Sequence, residues 1–371
     1  MAEPLKHLIG AHTARDTANA VARAWGKFDH QGFLADTLPA LEALELMQRG
    51  QRIADALHRH LPEDFGSAAA ILHACLPTPN HTGLSGWALL SFNQYIAAHG
   101  RGELKTALGL LKALTPHFTA EFGIRPFIAE EQEAALAIIS DWVTDANHHV
   151  RRLASEGTRP RLPWAMRLPA LVKDPSPILP ILEALIDDDE DYVRRSVANS
   201  LNDIAKDHPD LVADFVERHT DGASKHRLWL LKHASRTLIK KGHGKALANF
   251  GFAALTDVTV TLALTSERVT FPGDLGFEIS LSNNGIAARP VLIDYAIHHK
   301  KKDGALSPKV FKGRSLTIAA GESVTMAKRH AFRPITTRAY NAGGHRLEIL
   351  LNGTSVASAD FDLVMPQETT A

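Results

Sequence analysis

The sequence predicts a two-part fold, an α-helical repeat solenoid followed by an all-β sandwich. From Leu5 to about Phe250, apolar residues recur every three or four positions, the period of amphipathic helices. From Thr256 onward the period falls to two, which is typical of strands. A weak internal repeat also relates the later helices. We therefore expect a helical domain over residues 1–250 and a sandwich over residues 257–366.

The helical part is built from segments of ordinary length. Leu104, Leu108, Leu111 and Leu114 show the helical spacing, and proline or glycine residues separate one such segment from the next. The segment Val150-Arg151-Arg152 recurs 43 positions later as Val193-Arg194-Arg195. The pattern then recurs 37 positions on, around Lys232. Spacings near 40 residues predict HEAT-like helix pairs stacked into a solenoid.

The C-terminal part alternates between apolar and polar residues. Examples are 258–262, 277–281 and 347–351, with turn signals such as Asn283-Asn284-Gly285 between them. About seven strands in about 110 residues favour an immunoglobulin-like sandwich.

Composition excludes several classes of protein. The 371 residues are 45% hydrophobic and 22% charged, as in ordinary globular domains. No stretch approaches the roughly 20 apolar residues that span a bilayer, and Met1 to Gly10 show no secretory signal. The single cysteine, Cys75, lies in an apolar run, so we expect a buried structural thiol in a reducing cytosol. We also expect a monomer that does not associate with membranes.

No cofactor or metal is predicted. The paired histidines lack cysteine or carboxylate partners at metal-ligand spacing. A phosphate-binding Gly-Lys-Ser/Thr loop and a G-x-S-x-G nucleophile turn are both missing from the sequence.

Charge is segregated although the formal net charge is zero. Residues 147–171 hold five arginines and one acid, and residues 295–346 hold eleven Lys or Arg and two acids. Such zones are typical of proteins that bind polyanions. The alternative for the second zone is a solvated basic face that has no partner.

The stretch from His149 to Trp164 carries the strongest functional signal. It combines four arginines with one carboxylate, Glu156, and one indole, Trp164. Arginines bind phosphates, a carboxylate can stabilise a developing cation, and an indole face can pack against a cationic base. This combination indicates chemistry on a nucleic acid.

Three segments, 119–127, 152–164 and 192–203, resemble the bacterial AlkC family of DNA alkylation-repair glycosylases. The resemblance runs over about residues 110–245 and extends loosely over the N-terminal helices. Some members carry a C-terminal immunoglobulin-like domain, to which the β-rich tail is similar.

The resemblance implies a monofunctional glycosylase of the bacterial cytosol that works at the nucleoid. Such enzymes remove cationic N3-alkylated bases, such as 3-methyladenine and 3-methylcytosine, from duplex DNA. The lesion is excised without being flipped into a tight pocket.

Candidate catalytic residues follow from the chemistry. A cationic base is already a good leaving group, so the enzyme must stabilise an oxocarbenium-like sugar and position a water. Glu156 is the first candidate carboxylate, Glu121 the second and Asp203 the third, and Trp164 is expected to face the deoxyribose or the base. The alternatives are a salt bridge to Arg152 for Glu156, a helix-capping role for Glu121 and a core position for Trp164.

The basic candidates are assigned to DNA. Arg151 and Arg152 lie about 100° apart on a helix, so only one can face the DNA, and we prefer Arg152 because Arg195 and Lys232 share its repeat position. The full set is Arg125, Arg151, Arg152, Arg159, Arg161, Arg194, Arg195 and Lys232 in the helical part, with Lys300, Lys301, Lys302 and Arg314 in the sandwich. Lys300 to Lys302 are expected at a hairpin tip.

A second function class stays open. The solenoid and its arginines would equally suit a non-enzymatic HEAT-repeat scaffold that binds DNA or protein. Glu156 near Trp164, together with the family resemblance, favours the enzyme.

Overall fold

The computed structural model describes residues 4–336 and 338–366 and has the predicted fold class, helices followed by a β-sandwich. The α-helices of these residues, α1 to α16, are Ala11–Ala24, His30–Thr37, Leu46–His60, Phe65–Ala74, Leu89–His99, Leu104–Leu114, Glu121–Glu130, Gln132–Ser140, His148–Gly157, Pro169–Lys173, Leu179–Ala184, Asp191–Ile204, Pro209–Thr220, Lys225–Ala234, Arg236–Lys240 and Gly244–Ala248. Short 3-10 helices lie at Leu5–Leu8, Leu41–Ala43, Gly86–Ala88, Asp141–Thr144 and Ser176–Ile178.

Six of the described helices form a continuous stack. Helix α3 packs on α5, α5 on α7, α7 on α9, α9 on α12 and α12 on α14. The apolar faces of these helices are buried, as Leu57, Leu153 and Leu201 show with 0% exposure. Burying one apolar stripe per helix is what stabilises such a stack. Consequently α7, α9, α12 and α14 bring residues far apart in the chain onto neighbouring positions.

The eight strands of the described residues form two sheets. In chain order, β1 to β8 are Val258–Leu264, Arg268–Thr270, Gly273–Asn283, Arg289–Lys300, Leu306–Ile318, Ser323–Phe332, Gly343–Leu351 and Thr354–Val364. One sheet has the order β1-β3-β6 and the other β2-β8-β7-β4-β5. Inward residues of both sheets, among them Phe277, Ile293 and Ile349, form one apolar core. Two sheets that share one apolar core are the arrangement of a β-sandwich.

Contacts divide the chain into two compact units. The first comprises the residues up to Asp207 and Ser224–Ala234, and the second comprises His208–Ala223 and the residues from Ser235 onward. Helices α13, α15 and α16 therefore group with the strands. The division that the sequence predicts, at residues 250 and 257, stays a prediction.

Cys75 is buried, with 1% exposure, at the end of α4. Its thiol donates to the carbonyl oxygen of Ile71 at 3.3 Å. Burial raises the pKa of this thiol to about 12. The fold therefore gives Cys75 the buried, structural position that the sequence predicts.

Candidate active site

Helices α7 and α9 bring the two candidate glutamates together around one arginine. Glu121 is in the first turn of α7, and Glu156 lies near the end of α9, one turn after Arg152. Arg152 donates from Nη1 to Glu121 Oε2 at 3.1 Å, and its Nη2 lies 3.4 Å from Glu156 Oε1. One guanidinium therefore bridges both carboxylates, which lie 31 and 4 positions from it in the chain.

The arrangement continues into α12 through a second arginine. Arg159 donates from Nη1 to Glu156 Oε1 at 2.8 Å, and its Nη2 lies 2.8 Å from Asp203 Oδ2. Lys206 Nζ donates to the other oxygen of Asp203 at 2.8 Å. We call Glu121, Arg152, Glu156, Arg159, Asp203 and Lys206 the carboxylate network. Its three acids and three bases alternate, and the members other than Lys206, whose side chain is 43% exposed, are largely buried. Each buried acid therefore has a compensating base.

Burial has opposite consequences for two members of the network. It raises the pKa of Glu121, because the nearby Arg152 only partly offsets the loss of solvent. For Arg152, burial lowers the pKa, but Glu121 and Glu156 together outweigh it, so the net shift is upward. The two directions agree physically, since one cation faces two carboxylates. Glu121 is therefore easier to protonate than an exposed glutamate.

Arg125 corrects one assignment to DNA. Its side chain is wholly buried, and it donates to the carbonyl oxygens of Met166, Gly157 and Arg159 at 2.7 to 2.9 Å. Burial lowers its pKa to about 10. Because its donors hold the turn after α9, Arg125 has a structural position that a phosphate cannot reach.

The acidic run 187–191 explains why other predicted phosphate ligands also face the protein. Arg151 donates to both oxygens of Asp188 at 2.6 and 2.9 Å, and Arg194, 6% exposed, donates to the Asp188 carbonyl oxygen. Arg152, preferred as the DNA-facing member of its pair, instead bridges two carboxylates of the carboxylate network, so its contact with DNA stays a prediction. The same holds for Arg159, 7% exposed.

Some of the predicted cations remain at the surface of the helical unit. The Arg195 side chain is 60% exposed and pairs with Asp191 at 2.7 Å, and Lys232 is exposed. Arg161 is partly exposed and makes two hydrogen bonds to Asp207, each of 2.8 Å. These three side chains can exchange an ion pair, or solvent, for a phosphate.

An aromatic ring lies three positions before each repeat cation, a regularity that the sequence analysis missed. His149, Tyr192 and Trp229 recur at the spacings of 43 and 37, each three positions before a repeat cation. The guanidinium carbon of Arg152 lies 5.0 Å from the ring centre of Tyr192, and that of Arg195 lies 6.0 Å from that of Trp229. We call the three rings and Arg152, Arg195 and Lys232 the ring–cation ladder. Each arginine of one repeat thus packs on a ring of the next.

Comparisons with known proteins identify relatives of both parts of the chain. Residues 117–238 match the model of a family described as DNA alkylation repair enzyme, and residues 258–365 match one described as the C-terminal Ig-like domain of the uncharacterised protein YhaZ. YhaZ of Bacillus subtilis (strain 168) is 36% identical over 362 residues, covering 97% of this chain and 99% of YhaZ. The Pseudomonas fluorescens alkylpurine DNA glycosylase AlkC, solved bound to DNA containing an abasic site analog, is 34% identical with a TM-score of 0.81. The match covers 97% of this chain and 99% of the AlkC chain.

This chain belongs to the AlkC-like family of alkylpurine DNA glycosylases. The DNA alkylation repair match includes the whole carboxylate network, from Glu121 to Lys206. It also includes the ring–cation ladder, from His149 to Lys232.

Trp164 lies at the surface, whereas the carboxylates of the AlkC-like site are buried. It is 91% exposed, in the turn between α9 and α10, with a φ of 63°. A left-handed backbone is uncommon for a bulky residue, and such conformations concentrate at ligand sites. The core alternative for Trp164 is therefore wrong. Its contact with the sugar or base stays a prediction.

The sandwich of this AlkC-like protein presents its predicted basic residues on one hairpin. Lys300 ends β4, and Lys301 and Lys302 are exposed in the turn that leads to β5. The Lys301 N–H donates to the Ala305 carbonyl oxygen at 2.8 Å, which closes the tip, and Arg314 is exposed on β5. The hairpin is as expected, whereas its contact with DNA is untested.

Membrane-spanning helices and metal sites are both absent from residues 4–336 and 338–366. No helix there combines the length and the apolar composition that crossing a membrane requires. Nor does any group of three or more His, Cys, Asp or Glu side chains in this part of the chain have the geometry to hold a metal ion.

Sequence reasoning missed two further features of the AlkC-like site. Trp229 lies in an apolar helical pattern that is typical of the core, but it is 43% exposed and stacks on His233. Ser196 was overlooked, although it lies one turn after Tyr192 and donates to Glu156. The 37-residue repeat could have revealed Trp229, whereas a serine carries no comparable signal.

Proposed function

We propose that this chain is a monofunctional DNA glycosylase that excises cationic N3-alkylated bases from duplex DNA. The expected bases are 3-methyladenine and 3-methylcytosine. The observation that carries the proposal is the guanidinium of Arg152, whose side chain is 15% exposed and which lies between Glu121 and Glu156. Two carboxylates in different environments are the arrangement that hydrolysis of a glycosidic bond needs.

The two glutamates receive different roles. Glu156 accepts hydrogen bonds from Arg159 and Ser196, which suits a carboxylate that stays anionic and stabilises the oxocarbenium-like sugar. Burial raises the pKa of Glu121, so this carboxylate is better suited to accept a proton from the attacking water. The alkylated base leaves as a neutral molecule, because breaking the glycosidic bond discharges its cation.

Asp203 acts through Arg159 in this scheme and does not touch the substrate. It is 2% exposed and is neutralised by Arg159 and Lys206. We propose that it orients Arg159 against Glu156.

Exposed cations would bind the DNA backbone. We propose that Arg161, Arg195 and Lys232 bind phosphates beside the site, and that the hairpin from Lys300 to Lys302 and Arg314 bind the duplex through the sandwich. Trp164 is exposed enough to pack against the lesion or its sugar. Excision without a tight pocket would let bulkier N3-alkyl groups be released as well.

The proposal is tested by measuring base release from duplex DNA that carries 3-methyladenine or 3-methylcytosine. Wild type should release the base, and Glu156→Gln and Glu121→Gln should lose most of the activity. Glu133→Gln, on the exposed surface of α8, is the matched control and should behave as wild type.

Two outcomes would change the assignment. Full activity in both glutamine variants would show that neither glutamate is the catalytic carboxylate. If wild type bound DNA without releasing either base, the chain would instead be a non-enzymatic repeat scaffold.

A further inference from the structure

Two buried serines approach Glu156 from the side opposite its arginines. Ser196, on α12, is 2% exposed, and its Oγ donates to Glu156 Oε2 at 2.7 Å. Ser155, on α9, is 0% exposed, and its Oγ donates to Ser196 Oγ at 2.7 Å. A chain of two hydroxyls thus ends on the carboxylate.

The geometry sets the direction of these hydrogen bonds. Ser155 Oγ lies 2.7 Å from Ser196 Oγ and 3.1 Å from the Arg152 carbonyl oxygen, so the serine is its nearer acceptor. Once Ser196 accepts this proton, its own proton is directed to Glu156. A hydroxyl that both accepts and donates is polarised, which strengthens the bond to the anion.

Both oxygens of Glu156 are consequently fixed. Arg159 holds Oε1 at 2.8 Å, while Ser196 holds Oε2. The plane of a carboxylate turns easily about its last torsion, and donors on both oxygens prevent that rotation.

We propose that Ser196, supported by Ser155, is a positioning residue that holds the Glu156 carboxylate in its anionic, productive orientation. The inference rests on the proposed glycosylase function. It adds a residue to that reaction which acts through Glu156 rather than on the DNA.

Other charged and titratable groups also face Glu156. They are Glu121 and Arg125 from α7, Arg152 from α9, Arg159 from the segment after α9, and Tyr192 and Asp203 from α12. Ser196 differs from them because it carries no charge. Its removal therefore leaves the net charge of the network unchanged and withdraws only a hydrogen bond from the anion.

The test compares Ser196→Ala with Ser200→Ala in the full chain. Ser200 lies one turn further along α12, is equally buried and has no hydrogen-bond partner for its Oγ in the described residues. In Ser196→Ala we expect kcat for 3-methyladenine release to fall roughly tenfold, the size of one lost hydrogen bond to a charged group. KM should not change, because Ser196 does not reach the surface.

A conservative variant separates positioning from a merely structural role. Ser196→Thr keeps a hydroxyl that can donate to Glu156, so it should recover most of the kcat that Ser196→Ala loses. Ser200→Ala should keep the wild-type kcat. Ser155→Ala should lower kcat by less than Ser196→Ala does, and the double variant should be no worse than Ser196→Ala, because the two residues act in series.

Each result decides the matter. If wild type releases base but Ser196→Ala keeps the kcat of Ser200→Ala, the positioning role is wrong and the glycosylase stands. A drop in kcat that Ser196→Thr does not recover would also overturn it. If Ser196→Ala does not fold, Ser155→Ala replaces it, and an unchanged kcat there rejects the relay. If wild type releases no base, the proposed function fails and the inference fails with it.

Discussion

Arg152 shows at the scale of one residue how the site is stabilised. Its guanidinium is shared by Glu121 and Glu156, and its side chain is only 15% exposed. Breaking a buried pair by removing one partner is costly, because the opposite charge stays buried without compensation.

Arg152→Met should lower the free energy of unfolding by about 3–5 kcal/mol, measured by chemical denaturation. Arg101→Met is the control, because Arg101 pairs with Glu130 at the surface, with side chains 55% and 44% exposed. The control should change stability by no more than about 1 kcal/mol. Equal losses in the two variants would show that the shared cation is not needed for the fold.

Glu121 gives a pH prediction. Its pKa is raised above the ordinary 4.5, mainly by burial. Since catalysis needs the ionised form, activity is present above the raised pKa and should fall as the pH drops through it, before an exposed glutamate protonates. The pH profile of single-turnover base release measures this, and the limb should disappear in Glu121→Gln. A limb at or below 4.5 in wild type would contradict the assignment.

Much of the site was predictable from single residues, but their contacts were not. Glu156 was identified because it is the one acid in an arginine-rich stretch. Glu121 and Asp203 were identified because they lie in the other two segments that resemble the AlkC family, and the fold brings all three into one network. Arg125 was misassigned because an arginine that holds backbone carbonyls has the same sequence signature as one that holds phosphates. Only the tertiary structure separates the two.

At the scale of helices, the repeat explains the ring–cation ladder. Helices α9, α12 and α14 pack in succession, so residues spaced by 43 and 37 positions become neighbours. The sequence predicted this spacing. It could not predict that the acidic run before α12 neutralises arginines of two helices, because the pairing depends on how the helices stack.

Lys232, the last cation of the ring–cation ladder, should contact a phosphate of the DNA. Lys232→Ala is expected to weaken binding to duplex DNA and to reduce the slope of log affinity against log salt by about one. Fluorescence anisotropy at several salt concentrations measures both. Lys105→Ala is the matched control, since Lys105 is exposed on α6, outside the ladder. An unchanged slope in Lys232→Ala would remove this residue from the interface.

At the scale of the whole molecule, charge is concentrated in the sandwich although the chain is neutral. Residues 295–346 hold eleven Lys or Arg and two acids. The two-part fold itself was predictable, because the apolar period changes from helical to strand-like near residue 255. The grouping of α13, α15 and α16 with the strands was not, since amphipathic helices look alike whichever core they join.

The triple variant Lys301→Ala, Lys302→Ala and Arg314→Ala should bind duplex DNA more weakly, with a salt slope smaller by about three. Its rate of base release at saturating enzyme should stay near that of wild type, because these residues lie outside the carboxylate network. Arg268→Ala, an exposed arginine of the same sandwich outside the basic zone, is the control. An unaltered slope in the triple variant would leave the hairpin without a role in binding.

The buried Cys75 has a consequence for the conditions under which such a repair protein works. Electrophiles that methylate DNA also attack thiolates, and a thiol whose pKa is about 12 is almost never a thiolate at neutral pH. Since Cys75 is the one cysteine of the chain, the folded protein offers these reagents no reactive sulfhydryl. It is therefore chemically suited to remain active during the same exposure that creates its substrates.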